Sequence, residues 1–187
     1  MAYIKNNNHT ANYLDPKNDL TFKRVFGEHK HLCISLLNNM LTLEKPIIEI
    51  EYRSGELAPE LDILRNSIVD VRCIDSAGRQ FIVEMQLYWY DAFKSRVLFN
   101  ASKAYVLPLD VAEEFKLLQP VYSLNFINDT FEKSPEMKDE YLHNYKIIHT
   151  KHNDKQIEGL EFVFVELPSL KHKIEQKRNF TNFGYVF

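Results

Sequence analysis

The segment IVDVRCIDSAGRQFIVEMQ, residues 68–86, constrains this chain more than any other, because two alternating strands meet in it across a very short connection. The connection DSAGR fits a three-residue hairpin loop, Ser76-Ala77-Gly78, in which a type I turn is followed by a residue of positive φ. Gly78 stands where that conformation falls. Asp75 then faces Arg79, and counting back along both strands places Asp70 opposite Glu84 and Ile68 opposite Gln86. A two-residue turn would place Asp70 opposite Met85 instead.

Alternation sorts the two faces of this hairpin. Val69, Val71 and Cys73 pair with Met85, Val83 and Phe81 on a wholly apolar face, which must be core. Asp70, Arg72, Glu84 and Gln86 share the other face with Ile68, Ile74 and Ile82. Carboxylates facing each other with Cβ atoms about 5 Å apart destabilise a sheet. A divalent cation would offset the repulsion, since Mg²⁺ takes one or two carboxylates together with waters and a phosphate oxygen. The plainer account is a wet face on which Arg72 neutralises the pair.

The chain has 187 residues, 45% hydrophobic and 26% charged, which suits one α/β domain able to bury roughly 70% of its unfolded surface. Cys33 and Cys73 sit in apolar surroundings without Cys-x-x-Cys spacing and read as small core residues of a reducing compartment. The opening MAYIKNNNHTANYLD is polar and Asn-rich, so the expectation is a cytoplasmic protein with no secretory signal and no membrane span. The net charge of −3 does not favour sequence-independent phosphate binding. Basic residues nevertheless gather at Lys17, Lys23 and Arg24, at Lys94, Arg96 and Lys103, and at Lys171, Lys173, Lys177 and Arg178; solvated helix faces are the plainer account of each such cluster.

Residues 1–14 read as a disordered arm. LDPKNDLTFKRVFG predicts a helix with Asp15 as N-cap, Pro16 in the first turn, Phe22 and Phe26 on one face and Gly27 as its stop. KHLCISLLNNML predicts a second helix, and KPIIEIEYR a strand over 47–53. After the hairpin comes a helix over 91–118 that Pro108 breaks, then strands in QPVYSLNFIN, YLHNYKIIHT and LEFVFVELP. The final stretch, 169–187, begins as a basic helix and ends in an aromatic tail.

Taken together, NDLTFKRVFG, IVDVRCIDSAGRQFIVEMQ and SRVLFNASKAY resemble the recombination-promoting nuclease family, also called the PD-(D/E)XK nuclease family transposases. The resemblance covers residues 14–168 and implies a restriction-endonuclease-like αβββαβ core, a central mixed sheet flanked by helices, with a C-terminal β extension. It makes residues 15–168 the nuclease-like domain and 169–187 a tail that stops where comparable chains continue into a longer helical region. It implies a metal-dependent DNA endonuclease associated with mobile elements or recombination, using Mg²⁺ with Mn²⁺ as a substitute, and acting on DNA as a monomer or homo-oligomer. A catalytically inactive remnant that keeps the fold as a DNA-binding or protein-interaction module is the alternative. Carried onto this chain, the metal ligands are Asp70 and Glu84 with the Met85 carbonyl, and Gln86 stands where the superfamily more often has Lys. A neutral amide can orient a water but cannot stabilise developing negative charge as an ammonium would, which shifts that burden to the metal. Arg96 is implied in phosphate binding. Asp19 and Lys23 belong to the opening motif; Asp19 either reaches the site or serves the helix macrodipole. Tyr105, on the helix after the hairpin, is an accessory or packing residue.

Other constellations carry less. His143, His149 and His152, and His29 with His31, lack the i, i+4 spacing or Cys partners of a zinc site. LYWYDAF after Gln86 is either packing or a base-stacking cluster, Glu60 and Asp62 precede the hairpin in a loop-like stretch, and an RNase H-like site would need Glu113 or Glu114.

Overall fold

A computed structural model describes residues 15–57, 67–107, 115 and 118–174. The expected arm over 1–14, the break at Pro108, the acids Glu60, Asp62, Glu113 and Glu114, and the tail beyond 174 lie outside these residues.

Asn18, not Asp15, caps the first helix, α1 (Asp19–Glu28): its Oδ1 accepts the N–H groups of Leu20 and Thr21 at 3.1 and 3.4 Å. Asp15 makes the turn before it, accepting Lys17 N–H at 2.9 Å, so two cap-forming side chains compete and the later one wins. Gly27 does not stop α1, which continues through it to Glu28. Helix α2 (Lys30–Met40) follows, and Phe22, Cys33 and Leu37 send the buried side of this helix pair into the core. Both cysteines are buried and free.

The central sheet has the order β1-β4-β5-β6-β8-β7, where β1 is Ile50–Arg53, β4 Val71–Asp75, β5 Gln80–Gln86, β6 Val121–Ile127, β7 Leu142–His149 and β8 His152–Glu166. β1, β4 and β5 are antiparallel neighbours, β6 joins β5 and β8 in parallel, and β7 closes antiparallel on β8. Helix α3 (Phe93–Val106) lies between β5 and β6 in sequence, so the predicted αβββαβ order and mixed sheet are present. The strand expected over 47–53 is confined to Ile50–Arg53. A basic helix, α4, occupies 167–174. None of the described helices is long and apolar enough to cross a membrane.

The hairpin register is the one its loop dictates: Val71 faces Val83, Arg72 faces Ile82 and Cys73 faces Phe81. Gly78 has φ +82°, and its N–H reaches Asp75 O at 3.0 Å. Two departures matter for the site. The ladder ends at Val71, because Ser67–Ile68 (β3) pairs with Glu56–Leu57 (β2) in a separate two-stranded ladder, so Ile68 does not oppose Gln86. Gly55 permits this crossing: it accepts Val69 N–H at 2.9 Å, and a Cβ there would overlap the Val69 carbonyl. Val69 consequently leaves the Val71 face and packs with Leu57, Ile82 and Ala104.

The second departure is that both faces are dry. One carries Val71, Cys73, Phe81 and Val83 against Phe22, Cys33 and Leu37. The other lies under α3, where Val97, Ala101 and Ala104 cover Ile82, Val121 and Ile127. The expected wet face is therefore absent. Arg72 is buried and donates to Gln80 Oε1 at 2.9 Å, while Gln80 donates to Ala104 O, so Arg72 is not the neutraliser of the carboxylate pair.

Candidate active site

Glu84 lies on β5 between β4 and β6, and its side chain enters the seam beneath α3 with only 3% of the residue exposed. Arg96 and Asn100, one helical turn apart on α3, meet it there. Asn100 Nδ2 donates to Oε1 and Arg96 Nη2 to Oε2, each at 2.9 Å. Asn100 is itself fixed, since its Oδ1 accepts the Ser67 hydroxyl from β3. Arg96 also donates to Gln86 Oε1 at 3.1 Å and stacks 5.0 Å from the Phe93 ring centre. Gln86 spends its amide nitrogen on Tyr88 O at 2.8 Å. The guanidinium can only donate, so it fixes which end of the Gln86 amide faces it.

Asp70 stands in the bend just before β4. Instead of a ladder partner it has the Met85 N–H, which donates to its Oδ2 at 2.8 Å. Lys23, reaching over from α1, holds Oδ1 at 3.3 Å and Asp19 at 3.1 Å. Asp19 and Lys23 form an i, i+4 pair at the start of α1, so Asp19 reaches the site through Lys23 as well as lying in the helix's first turn. The Met85 side chain turns instead to an apolar cleft beside Phe22, Phe26 and Phe126.

Electrostatics tie the two carboxylates together. Burial pushes the pKa of Asp70 up; the Met85 N–H and Lys23 pull against it, and Asp19 adds to the rise. Burial likewise raises Glu84, opposed by Arg96 and Asn100 and reinforced by the charge of Asp70. Burial lowers Lys23, but its bonds to Asp19 and Asp70 outweigh this and leave it raised. The site is thus a desolvated, mutually repelling pair of acids with one cation at each side.

Tyr105 is elsewhere. It packs, like Leu160 and Phe162, against the cluster of Ile82, Ala101, Ala104 and Val121, and lies against Gly159, where an added Cβ would stand 3.0 Å from its hydroxyl. Leu160 aligns through Val121 with Gln80, six residues before Gln86 and so about 20 Å along the sheet. His149 and His152 sit at the β7–β8 turn with ring centres 4.9 Å apart, whereas His143 is buried beside Phe131 and Glu166. Among the described residues no group of three or more His, Cys, Asp or Glu is placed to hold a metal ion. Two residues that bear on Glu84 escaped the sequence reading, Ser67 and Asn100. The signal for Asn100 was present: a polar side chain in the apolar row of Val97, Ala101 and Ala104, one turn after Arg96.

An αβββαβ order around a mixed sheet, with one acid just before its second long strand and another within its third, is consistent with the PD-(D/E)XK class. More particularly, residues 16–183 match the PD-(D/E)XK nuclease family transposases, and the chain belongs to that family. No curated protein and no solved structure matches the chain. Membership associates the protein with nucleases and mobile elements.

Proposed function

We propose that the protein is a metal-dependent DNA endonuclease that hydrolyses phosphodiester bonds in the service of a mobile element or of recombination. The observation that carries this reading is the approach of Asp70, in the bend before β4, and Glu84, within β5, to one desolvated site flanked by Lys23 and Arg96. The donors suit Mg²⁺, and Mn²⁺ in its place: two carboxylates with hard oxygens, whose repulsion a divalent ion would relieve. Asp70, Glu84 and the Met85 carbonyl would hold it. Bound there, the ion would acidify the attacking water and neutralise phosphoryl charge.

The chain's own residues do the rest. Gln86, fixed between Arg96 and Tyr88 O, orients the water. Arg96 holds Glu84 and Gln86 in register and offers its remaining donors to a phosphate. Lys23 brings to the Asp70 side the ammonium that Gln86 cannot supply, and Asp19 positions it. Tyr105 acts by packing. Plasmid nicking by wild type and Asp70→Ala, each with Mg²⁺ or EDTA, tests this: cleavage confined to wild type with Mg²⁺ supports it, and equal cleavage in all four samples refutes it.

One observation favours a second reading, an inactive remnant that binds DNA or protein. All four carboxylate oxygens of the pair already have a protein donor or cation. A remnant would retard DNA in a gel and leave it uncut at every Mg²⁺ concentration.

A further inference from the structure

The aromatic run after Gln86 divides cleanly into packed and presented rings. Phe93 is fully buried, and Trp89 stacks on Phe131 at 4.6 Å and meets Phe93 edge-on at 5.8 Å. Tyr90 lies against Phe93 and beneath Arg96. Tyr88 does neither, and 73% of it is exposed.

The peptide group that follows it is nevertheless held at both its carbonyl and its N–H. Gln86 Nε2 donates to Tyr88 O at 2.8 Å, and the next N–H, of Trp89, donates to Asp129 Oδ2 at 3.1 Å. With that peptide fixed, the ring is presented to solvent from an ordered stretch of backbone. It stands two residues from Gln86, at most about 7 Å of extended chain, and is bonded to the same amide that touches Arg96 and, through it, Glu84.

We infer that Tyr88 is the stacking platform for an unpaired base beside the phosphate bound at Asp70 and Glu84, so that the substrate is DNA with a single-stranded segment, such as a flap, a loop or a frayed end. The inference rests on the proposed nuclease reading and narrows its substrate. Inside an intact duplex both faces of a base are covered, and exposing one costs a few kcal/mol, least where the base is already unpaired. A chain of net charge −3 draws little duplex affinity from phosphate neutralisation. Base stacking on an aromatic ring supplies affinity that does not depend on that charge.

Fluorescence anisotropy in EDTA tests this with the full chain and three probes of one sequence: a single strand, a blunt duplex and a duplex with an unpaired flap. Wild type is expected to bind the single strand and the flap more tightly than the blunt duplex. Tyr88→Ala should weaken the two unpaired probes about 5- to 150-fold and leave the duplex unchanged. Tyr88→Trp keeps a stacking face and should retain the affinity, whereas Tyr88→Leu, apolar but unable to stack, should lose it. Single-strand affinity equal in wild type, Tyr88→Ala and Tyr88→Leu overturns the inference and leaves the ring as a contact for another partner. So does a loss of equal size on all three probes. Plasmid nicking read alongside separates the two failures: Tyr88-dependent binding without nicking counts against cleavage alone, and nicking without Tyr88-dependent binding counts against this inference alone.

Discussion

Glu84 sits in mid-strand, with both carboxylate oxygens taken by side chains of one helix, whereas Asp70 sits where a strand stops and is held by a backbone N–H and a lysine from another helix. The same chemical group is thus fixed by tertiary packing in one case and by a local departure of the chain in the other. Glu84 is more deeply buried, and its partner Asn100, 1% exposed, cannot be replaced by water, whereas Arg96 is open to solvent. Lys23 at the Asp70 side is more than a third exposed, and solvent can stand in for it. The stability of the site should therefore depend on α3, and its response to ions on α1.

Asn100→Leu should show the largest effect, because it leaves Glu84 Oε1 and the Ser67 hydroxyl without their partner in a buried seam. A loss of about 1–3 kcal/mol is expected, or more since the acceptor is charged, read by urea unfolding. Lys23→Met should cost less than about 1 kcal/mol, because exposed ion pairs contribute little and Asp70 keeps the Met85 N–H. A cost for Lys23→Met that equals that of Asn100→Leu would break the comparison.

The pH dependence sharpens it. Both acids have pKa values raised in the folded state, so folding favours their protonated forms. Their contribution to stability is therefore greatest at acid pH and is lost as pH rises from the ordinary carboxylate range through the raised folded values. Asp70→Asn and Glu84→Gln remove that loss. The melting temperature of each variant relative to wild type should rise with pH across this window, and a constant difference would contradict the assignment. Tyr105→Phe should show the smallest effect, within about 0.5 kcal/mol and with nicking unchanged, because the ring packs at the far end of the sheet.

The hairpin was legible because its register follows from local chemistry: loop length, Gly78 and alternation place Val71 against Val83 without reference to the rest of the chain. Extended one residue, that register set Asp70 opposite Glu84, although the ladder itself stops at Val71. What it could not reveal was the departure at Asp70, which depends on Ser67–Ile68 pairing with residues 56–57 across an intervening segment. The burial of the polar face was hidden for a similar reason. Arg72 and Glu84 look solvated in sequence, and only their partners Gln80, Asn100 and Arg96 account for their burial. At α1 the competing caps Asp15 and Asn18 lie three residues apart, and propensity does not separate them. Asn100 was missed although its place in an apolar helical row marked it.

The central claim is that Asp70 and Glu84 act as one cation site. Calorimetric titration of Mn²⁺ into wild type, Asp70→Asn and Glu84→Gln tests it most directly, since both variants keep the shape of the site and remove one charge. Wild type should show a single site that weakens at least about tenfold, 1.4 kcal/mol or more, in each variant alike. A wild type that binds no Mn²⁺, or a site that survives either substitution at full strength, would contradict it.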